Sequence, residues 1–396
     1  MAILILNRLS KKQKDYEEWF SEIDDELYML GHPNSTESFT QCQYTNTFEN
    51  FMWNGEVDWE AVRIYKEMGF SKIISLEEGD LLRAGRLRSY LNIEGQSYES
   101  ALAFRNKYIM KSILNSGGIT TAPFKLIKDP IDLYEFTEEY GFPIVVKPLM
   151  GMNGKDVKVI YNQNDLLSWM KLNNWYDILV EKYIDGEIYH LDGLVIDGEL
   201  KFSCSFAYIN SCLSFNESEG VGHILLDSKD QLSVRLSNYV SKVLKVLPTP
   251  NKTSIHAEIF LTKDDELLLC EIASRTGGGS IPELLHKAYN VDFDRIISRS
   301  QIGISDPLPS KVIGEKLIGN YLFQPKDGIL SSYPKHLPFD WVIDYKRNGL
   351  EGQLYTNANS SPKDYAVVYV EGETEQQIKQ RITIVNNYME DNTIWV

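Results

Sequence analysis

Several features that would have settled the class of this 396-residue chain at once are missing from it. It has four cysteines, Cys42, Cys204, Cys212 and Cys270, and no two are spaced as CxxC. That argues against a zinc site or a disulfide framework, and the thiols are expected to be reduced and mostly buried. No apolar run reaches the roughly 18 residues of a membrane helix. The opening MAILILNRLSKKQKDYEEWF lacks both a basic leader and a small-residue cleavage site. The expected location is the cytoplasm, with no membrane partner. Positive charge is in deficit, since 40 Lys and Arg face 56 Asp and Glu for a formal charge of -16. Such a balance argues against a broad phosphate-backbone surface and a nucleic-acid partner, but it permits a small local phosphate site. Neither GxGxxG after the first strand nor GxxxxGK[ST] occurs, so a dinucleotide fingerprint and a P-loop are both disfavoured. No Ser/His/Asp or Cys/His arrangement, internal repeat or low-complexity linker is recognisable.

What is present suits a folded enzyme-sized chain, with 43% hydrophobic and 12% aromatic residues to build a core. Residues 1 to 97 open with the buried-strand pattern ILIL, and SKIISLEEGDLLRAGRLRSYL reads as strand, turn and helix, an α/β layer unit. Gly95, Gln96 and Ser97 interrupt the pattern. Ser97 then caps one helix expected to carry Arg105 and Lys107 and to end near Asn115 to Gly118. Short strands are expected at 144–146, 157–160 and 178–180, with a helix around 163–172. From Ile188 strands alternate, with helices near 229–246 and 281–289. The strand-rich tail ends in a helix whose Ile378, Ile382, Val385 and Met389 form one stripe, read as core packing.

The chemistry collects in three stretches. In HAEIFLTKDDELLLCEIASRTGGG, residues 254–261 and 267–273 alternate as strands around the polar turn Lys263–Glu266. A four-residue loop would pair Thr262 with Leu267 and, counting outward, Glu258 with Glu271, their Cβ atoms about 4.5 to 5.5 Å apart. Like charges that close need compensation. Arg275 would supply it if the strand persists, and a divalent cation such as magnesium would do so better, because hard oxygen ligands suit it. Cys270 would face away from Glu271. A solvated hairpin is the plain alternative. In FPIVVKPLMGMNGKDVKVI, Lys147 ends an apolar run before a loop with Gly151 and Gly154. A lysine so placed needs an anion, and glycine backbone can approach phosphate, although a snorkelling lysine beside an ordinary hairpin fits as well. In DILVEKYIDGEIYHLDG, Glu181 ends a strand ahead of Tyr183, Ile184 and Gly186. It either meets an adenine amino group or is simply exposed.

Taken in order, Lys107 on a helix, VVKP with its glycine loop, VEKYIDG, Glu258 and EIASR resemble the ATP-grasp superfamily over about residues 98 to 300. The preceding block resembles the domain found ahead of such modules. EIASRTGGGSIPELL and LFQPKDGIL look most like the L-amino-acid ligases, which join free amino acids into dipeptides. The resemblance implies an α/β (α+β) fold with an N-terminal pre-ATP-grasp domain at 1–97, a central small lobe at 98–187 and a C-terminal lobe at 188–396. It implies ATP between two lobes, with Lys107 and Lys147 on phosphates and the Gly151–Gly154 loop over them. Glu181 and the backbone near Tyr183 and Ile184 would hold adenine. Glu258 and Glu271 would hold magnesium, as two ions, with manganese as a substitute. Arg275, with Lys147, would serve the chemistry by stabilising an acyl phosphate and the tetrahedral species made from it.

Two positions depart from the family pattern. Ile188 stands where a ribose-binding glutamate is common, leaving Asp192 as a candidate, and Ala273 stands where many members carry a ligating asparagine. In FNESEGVGHILLD, Glu217 or Glu219 would receive a substrate α-ammonium and His223 would sit beside its carboxylate, or the stretch is only a polar loop. His256, opposite Ala273, reads as a satisfied sheet histidine. Gly277 to Gly279 leave space beside Arg275 for a large first substrate. The implied reaction is attack of a carboxylate on the γ-phosphate of ATP, then displacement of phosphate by an amine. The expected partners are small-molecule amino acids, and a homodimer is compatible with the resemblance. Open alternatives are a ligase acting on a peptide or another biosynthetic acid, and an ATP-binding regulatory protein without turnover.

Overall fold

The computed structural model describes residues 2–172, 177–210, 220–309, 316–356 and 364–396, so Cys212, Glu217 and Glu219 lie outside the described residues. The first sheet is parallel, in the order Tyr44–Thr47, Glu26–Gly31, Ala2–Asn7, Lys72–Ser75. Every residue of Ala2–Asn7 is buried because both faces are covered. Leu4 and Leu6 pack with Val57, Ala61 and Ile64 of the helix Glu56–Glu67, while Ile3 and Ile5 pack with Tyr16, Trp19 and Phe20.

The single helix expected after Ser97 is two helices. Ser97 does cap Tyr98–Arg105, but Asn106 ends that helix and caps a second, Lys107–Ser116, by accepting from the NH groups of Tyr108 and Ile109. Lys107 therefore starts a helix, and its own NH is held by the Leu149 carbonyl at 3.0 Å. A small antiparallel sheet follows, ordered Phe124–Ile127, Ile178–Lys182, Ile144–Pro148, Lys158–Ile160, with the helices Pro130–Tyr140 and Gln163–Leu172. The strand Phe124–Ile127 and the helix Pro130–Tyr140 were not expected.

The third sheet is antiparallel and has eight strands. Its order is Leu267–Ala273, Lys252–Thr262, Gly186–Ile196, Glu199–Ile209, Val221–Leu225, Leu317–Phe323, Ala366–Gly372, Val342–Arg347. Because Gly186–Ile196 runs through residue 187, we place the division between the small lobe and this sheet ahead of Gly186. The helix Gln231–Val246 packs on one face, and the helices Ile281–Tyr289 and Phe293–Gln301 pack on the other. Ile378, Ile382, Val385 and Met389 of the closing helix Glu375–Asn392 are core residues, as expected.

Candidate functional site

The hairpin opposes Glu258 to Glu271, and His256 to Ala273, but not by the expected count. The closing pair is Leu261 with Leu267, one residue off, and a bulge at Cys270 takes up the difference between Ile259–Leu269 and Glu258–Glu271. The bulge also turns Cys270 toward the cleft beside Glu271 rather than away from it. Its thiol is pushed up to about 12, first by burial, so it stays protonated.

Between the small sheet and the large one lies a cleft of about 630 Å³, into which Lys107, Lys147, Glu181, Glu258, Glu271 and Arg275 all project. Gly151, Gly154, Tyr183, Ile184 and His223 line it too. Lys107 Nζ lies 2.9 Å from Glu271 Oε2 and 3.2 Å from the Gly151 carbonyl. Lys147 Nζ lies 2.8 Å from Glu181 Oε1, and Lys111, which was not anticipated, approaches the same oxygen at 3.4 Å. Burial alone would raise the Glu181 carboxyl, but Lys111 and Lys147 outweigh it and hold the group ionised. Burial likewise opposes the charge on Lys147, and the Glu181 carboxylate reverses that effect. The Tyr183 NH donates to the Pro143 carbonyl at 3.3 Å, so only the Tyr183 carbonyl is left to face a ligand.

The repulsion between Glu258 and Glu271 is relieved by different partners. Glu258 accepts from the Tyr208 hydroxyl at 2.9 Å. Burial would raise Glu271, but the ammonium groups of Lys107 and Lys147 bring it down to about 2. Arg275 makes no direct pair with either glutamate, because the strand ends at Ala273 and the guanidinium turns to Glu78 of the N-terminal block, Nε to Oε2 at 2.6 Å, although the Glu271 charge still acts on it from a distance. Arg105 grips the other oxygen of Glu78. Two opposed carboxylates open to a cleft, with lysines one hydrogen bond away, form a hard-oxygen donor set that fits magnesium, and Ala273 adds no ligand atom.

Asp192 is wholly buried, taken up by His190 at 2.7 Å, His256 at 3.0 Å and the Gly277 NH at 3.2 Å, so it has no reach to a ribose. The His256 imidazole is satisfied there as expected; burial opposes its charge, yet Asp192 raises it to about 10. Gly277 is small for the same reason, since a Cβ there would meet Asp192 Oδ1 at 2.7 Å and His256 Nδ1 at 2.9 Å. Only Gly278 and Gly279 border the cleft.

A family model described as the ATP-grasp domain matches residues 112–279. An L-arginine-specific L-amino acid ligase of Bacillus subtilis is 28% identical over 82% of this chain and 80% of its own length. A D-alanine--D-alanine ligase of Geobacter sulfurreducens is 31% identical over 54% of this chain and 71% of its own. The chain belongs to the ATP-grasp superfamily of ligases. The ATP-grasp segment matched by the model takes in Lys147, Glu181, both hairpin glutamates and Arg275, while Lys107 lies just ahead of it. The crystal structure of an L-amino acid ligase from Bacillus licheniformis has the same fold across 100% of this chain and 99% of its own, with a TM-score of 0.78 at 17% identity. Lys111, Glu78, Arg105 and Tyr208 are the site residues that sequence reasoning missed. Of these only Lys111 left a signal, four residues after Lys107 and thus one turn along the same helix face.

Proposed function

We propose that this ATP-grasp ligase is a carboxylate–amine ligase that joins two free L-amino acids into a dipeptide through an acyl phosphate, releasing ADP and phosphate. The observation carrying this reading is the meeting, in one cleft, of Glu258 opposed to Glu271, the lysines Lys107 and Lys147, and Arg275. Lys107 and Lys147 would exchange part of their present carboxylate contacts for phosphate oxygens, neutralising charge as the substrate carboxylate attacks the γ-phosphate. Magnesium held by Glu258 and Glu271, as two ions or with manganese in its place, would draw further charge from those oxygens. The Gly151–Gly154 loop would close over the phosphates, and Glu181 with the Tyr183–Ile184 backbone would border the adenine. Arg275, steadied by Glu78 at Nε and by the Thr276 carbonyl at Nη1, would turn its remaining N–H groups to the acyl phosphate and the tetrahedral species. Cys270 is no rival nucleophile, given its raised thiol. Glu217 or Glu219 would receive a substrate α-ammonium, with His223 beside the substrate carboxylate.

The test is ADP and phosphate release with magnesium and ATP across single and paired amino acids, with mass detection of products and Glu271→Ala as control. Pair-dependent ADP release with a mass-matched dipeptide is expected, reduced in the control by about 100-fold or more. Nucleotide binding without pair-dependent ADP release would move a peptide acceptor or a regulatory role ahead. AMP and pyrophosphate as products would overturn the acyl phosphate.

A further inference from the structure

Beside Glu258, on the same face of the large sheet, runs a line of buried polar side chains in which His190 is the cross-strand partner of Glu258 and Asp192 that of His256. Asp192 and His190 stand two residues apart on Gly186–Ile196, hence on one sheet face, and both are wholly buried. Asp192 Oδ2 lies 2.7 Å from His190 Nδ1, and His190 Nε2 lies 2.9 Å from His223 Nδ1. His223, on the adjacent part of the sheet, reaches the cleft itself.

These distances dictate tautomers. Burial would raise Asp192, but the His256 and His190 imidazoles keep it well below its ordinary value, so it only accepts hydrogen bonds. Burial keeps His190 neutral, so with Asp192 only accepting, its N–H stands at Nδ1 and a lone pair is left on Nε2. That lone pair must receive the N–H of His223 Nδ1, so neutral His223 carries its remaining lone pair on Nε2. Burial, reinforced by the neighbouring His190 and His256, keeps His223 neutral. The groups around its ring are His190 and Tyr208 at centroid distances of 4.8 and 5.0 Å, with Asp192 and His256 behind, and Asn320 binding its backbone NH at 3.1 Å. Among the described residues no hydrogen bond is made by His223 Nε2. His190, Asp192 and His256 also converge closely enough to hold a cation. However, the Gly277 NH on Asp192 and the His190–His223 bond occupy lone pairs that a cation would need.

We infer that Asp192 and His190 are positioning residues that fix His223 Nε2 as the proton acceptor for the amine attacking the acyl phosphate, an inference that rests on the ligase reading above. The amine lone pair forms the C–N bond while the carbonyl π pair moves to oxygen, and the proton leaving nitrogen passes to His223 Nε2. As the tetrahedral species collapses, the electron pair of the C–O bond departs with phosphate, which takes the proton from His223. Amine and acyl phosphate become amide and hydrogen phosphate, and His223 returns neutral. A weakly basic imidazole suffices, because the amine nitrogen becomes acidic as its bond to carbon forms.

The test compares wild type with His223→Gln, His190→Phe and His190→Gln, each with the second amino acid or with hydroxylamine, which attacks acyl phosphates without enzymic help. For His190→Phe, kcat for dipeptide formation is expected to fall about 100-fold, with KM for ATP and hydroxamate formation within about threefold of wild type, and His223→Gln is expected to lose dipeptide formation at least as far. His190→Gln is expected to recover most of the rate, since its amide can donate to Asp192 and accept from His223. Equal loss in both reactions, or no loss in either, overturns the relay, as does a His190→Gln variant no better than His190→Phe. Should His190→Phe not fold, His190→Ala read in the same two reactions decides the matter. Wild type forming neither product overturns the ligase reading, whereas wild type forming dipeptide while His223→Gln keeps its full rate overturns the relay alone.

Discussion

An ammonium group removed from water requires a counter-charge, and Lys111, at 1% exposure, shows how narrowly this site meets that requirement. Its Nζ has Glu181 Oε1 at 3.4 Å and the Leu269 carbonyl at 3.3 Å. Burial still lowers it below the usual lysine range. Glu181 in turn depends on two cations, and Lys147 is the nearer. Replacing Lys111 with Met leaves Glu181 paired once, so the expected cost is roughly 1–3 kcal/mol, short of the full penalty for stranding a buried charge. Urea denaturation measures it, and a variant as stable as wild type would show that Lys111 contributes nothing to holding Glu181. Lys147 was legible because a lysine closing an apolar run is conspicuous. Lys111 lies within an ordinary amphipathic helix, where a lysine usually faces solvent, and only its spacing from Lys107 distinguished it.

At the level of elements, periodicity carried most of the fold and failed where a single residue interrupts it. LLLCEIA is apolar at every position but Glu271, so no break in a pattern marks the bulge at Cys270. The pairing of Glu258 with Glu271 was reached because an offset of one residue at the turn cancels the bulge. Asn106 could have been read as a helix cap, but apolar residues on both sides continue a helical pattern across it. The segment after the hairpin departs from expectation at one of its three glycines. Its glycines were read as making room for substrate, whereas Gly277 makes room for Asp192 and His256. Gly277→Ala should cost about 1–3 kcal/mol through that crowding. Gly278→Ala, with nothing within 4 Å of a new Cβ, should stay within about 0.5 kcal/mol of wild type. Denaturant midpoints of the two variants separate these outcomes, and equal values would show that the loop shifts freely.

Across the whole molecule, the N-terminal block is tied to the ligase lobes by charges far apart in sequence, which no periodic pattern announces. Glu78 bridges Arg105 and Arg275, Lys14 pairs with Asp294, Arg299 reaches Glu22, and Gln96 donates to the Ser274 hydroxyl at 2.9 Å. The first of these ties reaches the chemistry directly, because Arg275 is the residue proposed to face the acyl phosphate. Burial would raise Glu78, but Arg275 and Arg105 outweigh it and hold its carboxyl below the ordinary value. A carboxyl depressed in the folded state contributes stability that is fully present above its unfolded value of about 4.3 and is lost as pH falls through the folded value. Glu78→Gln keeps the shape and some hydrogen bonding but removes that charge, so near pH 7 it should be less stable than wild type by roughly 2 kcal/mol. The gap should narrow as pH drops below about 4, where wild-type Glu78 begins to protonate as well. Melting curves of both proteins from pH 7 to pH 3 measure the gap. If it persists undiminished in acid, the loss comes from packing rather than charge, and Glu78 does not hold Arg275 electrostatically.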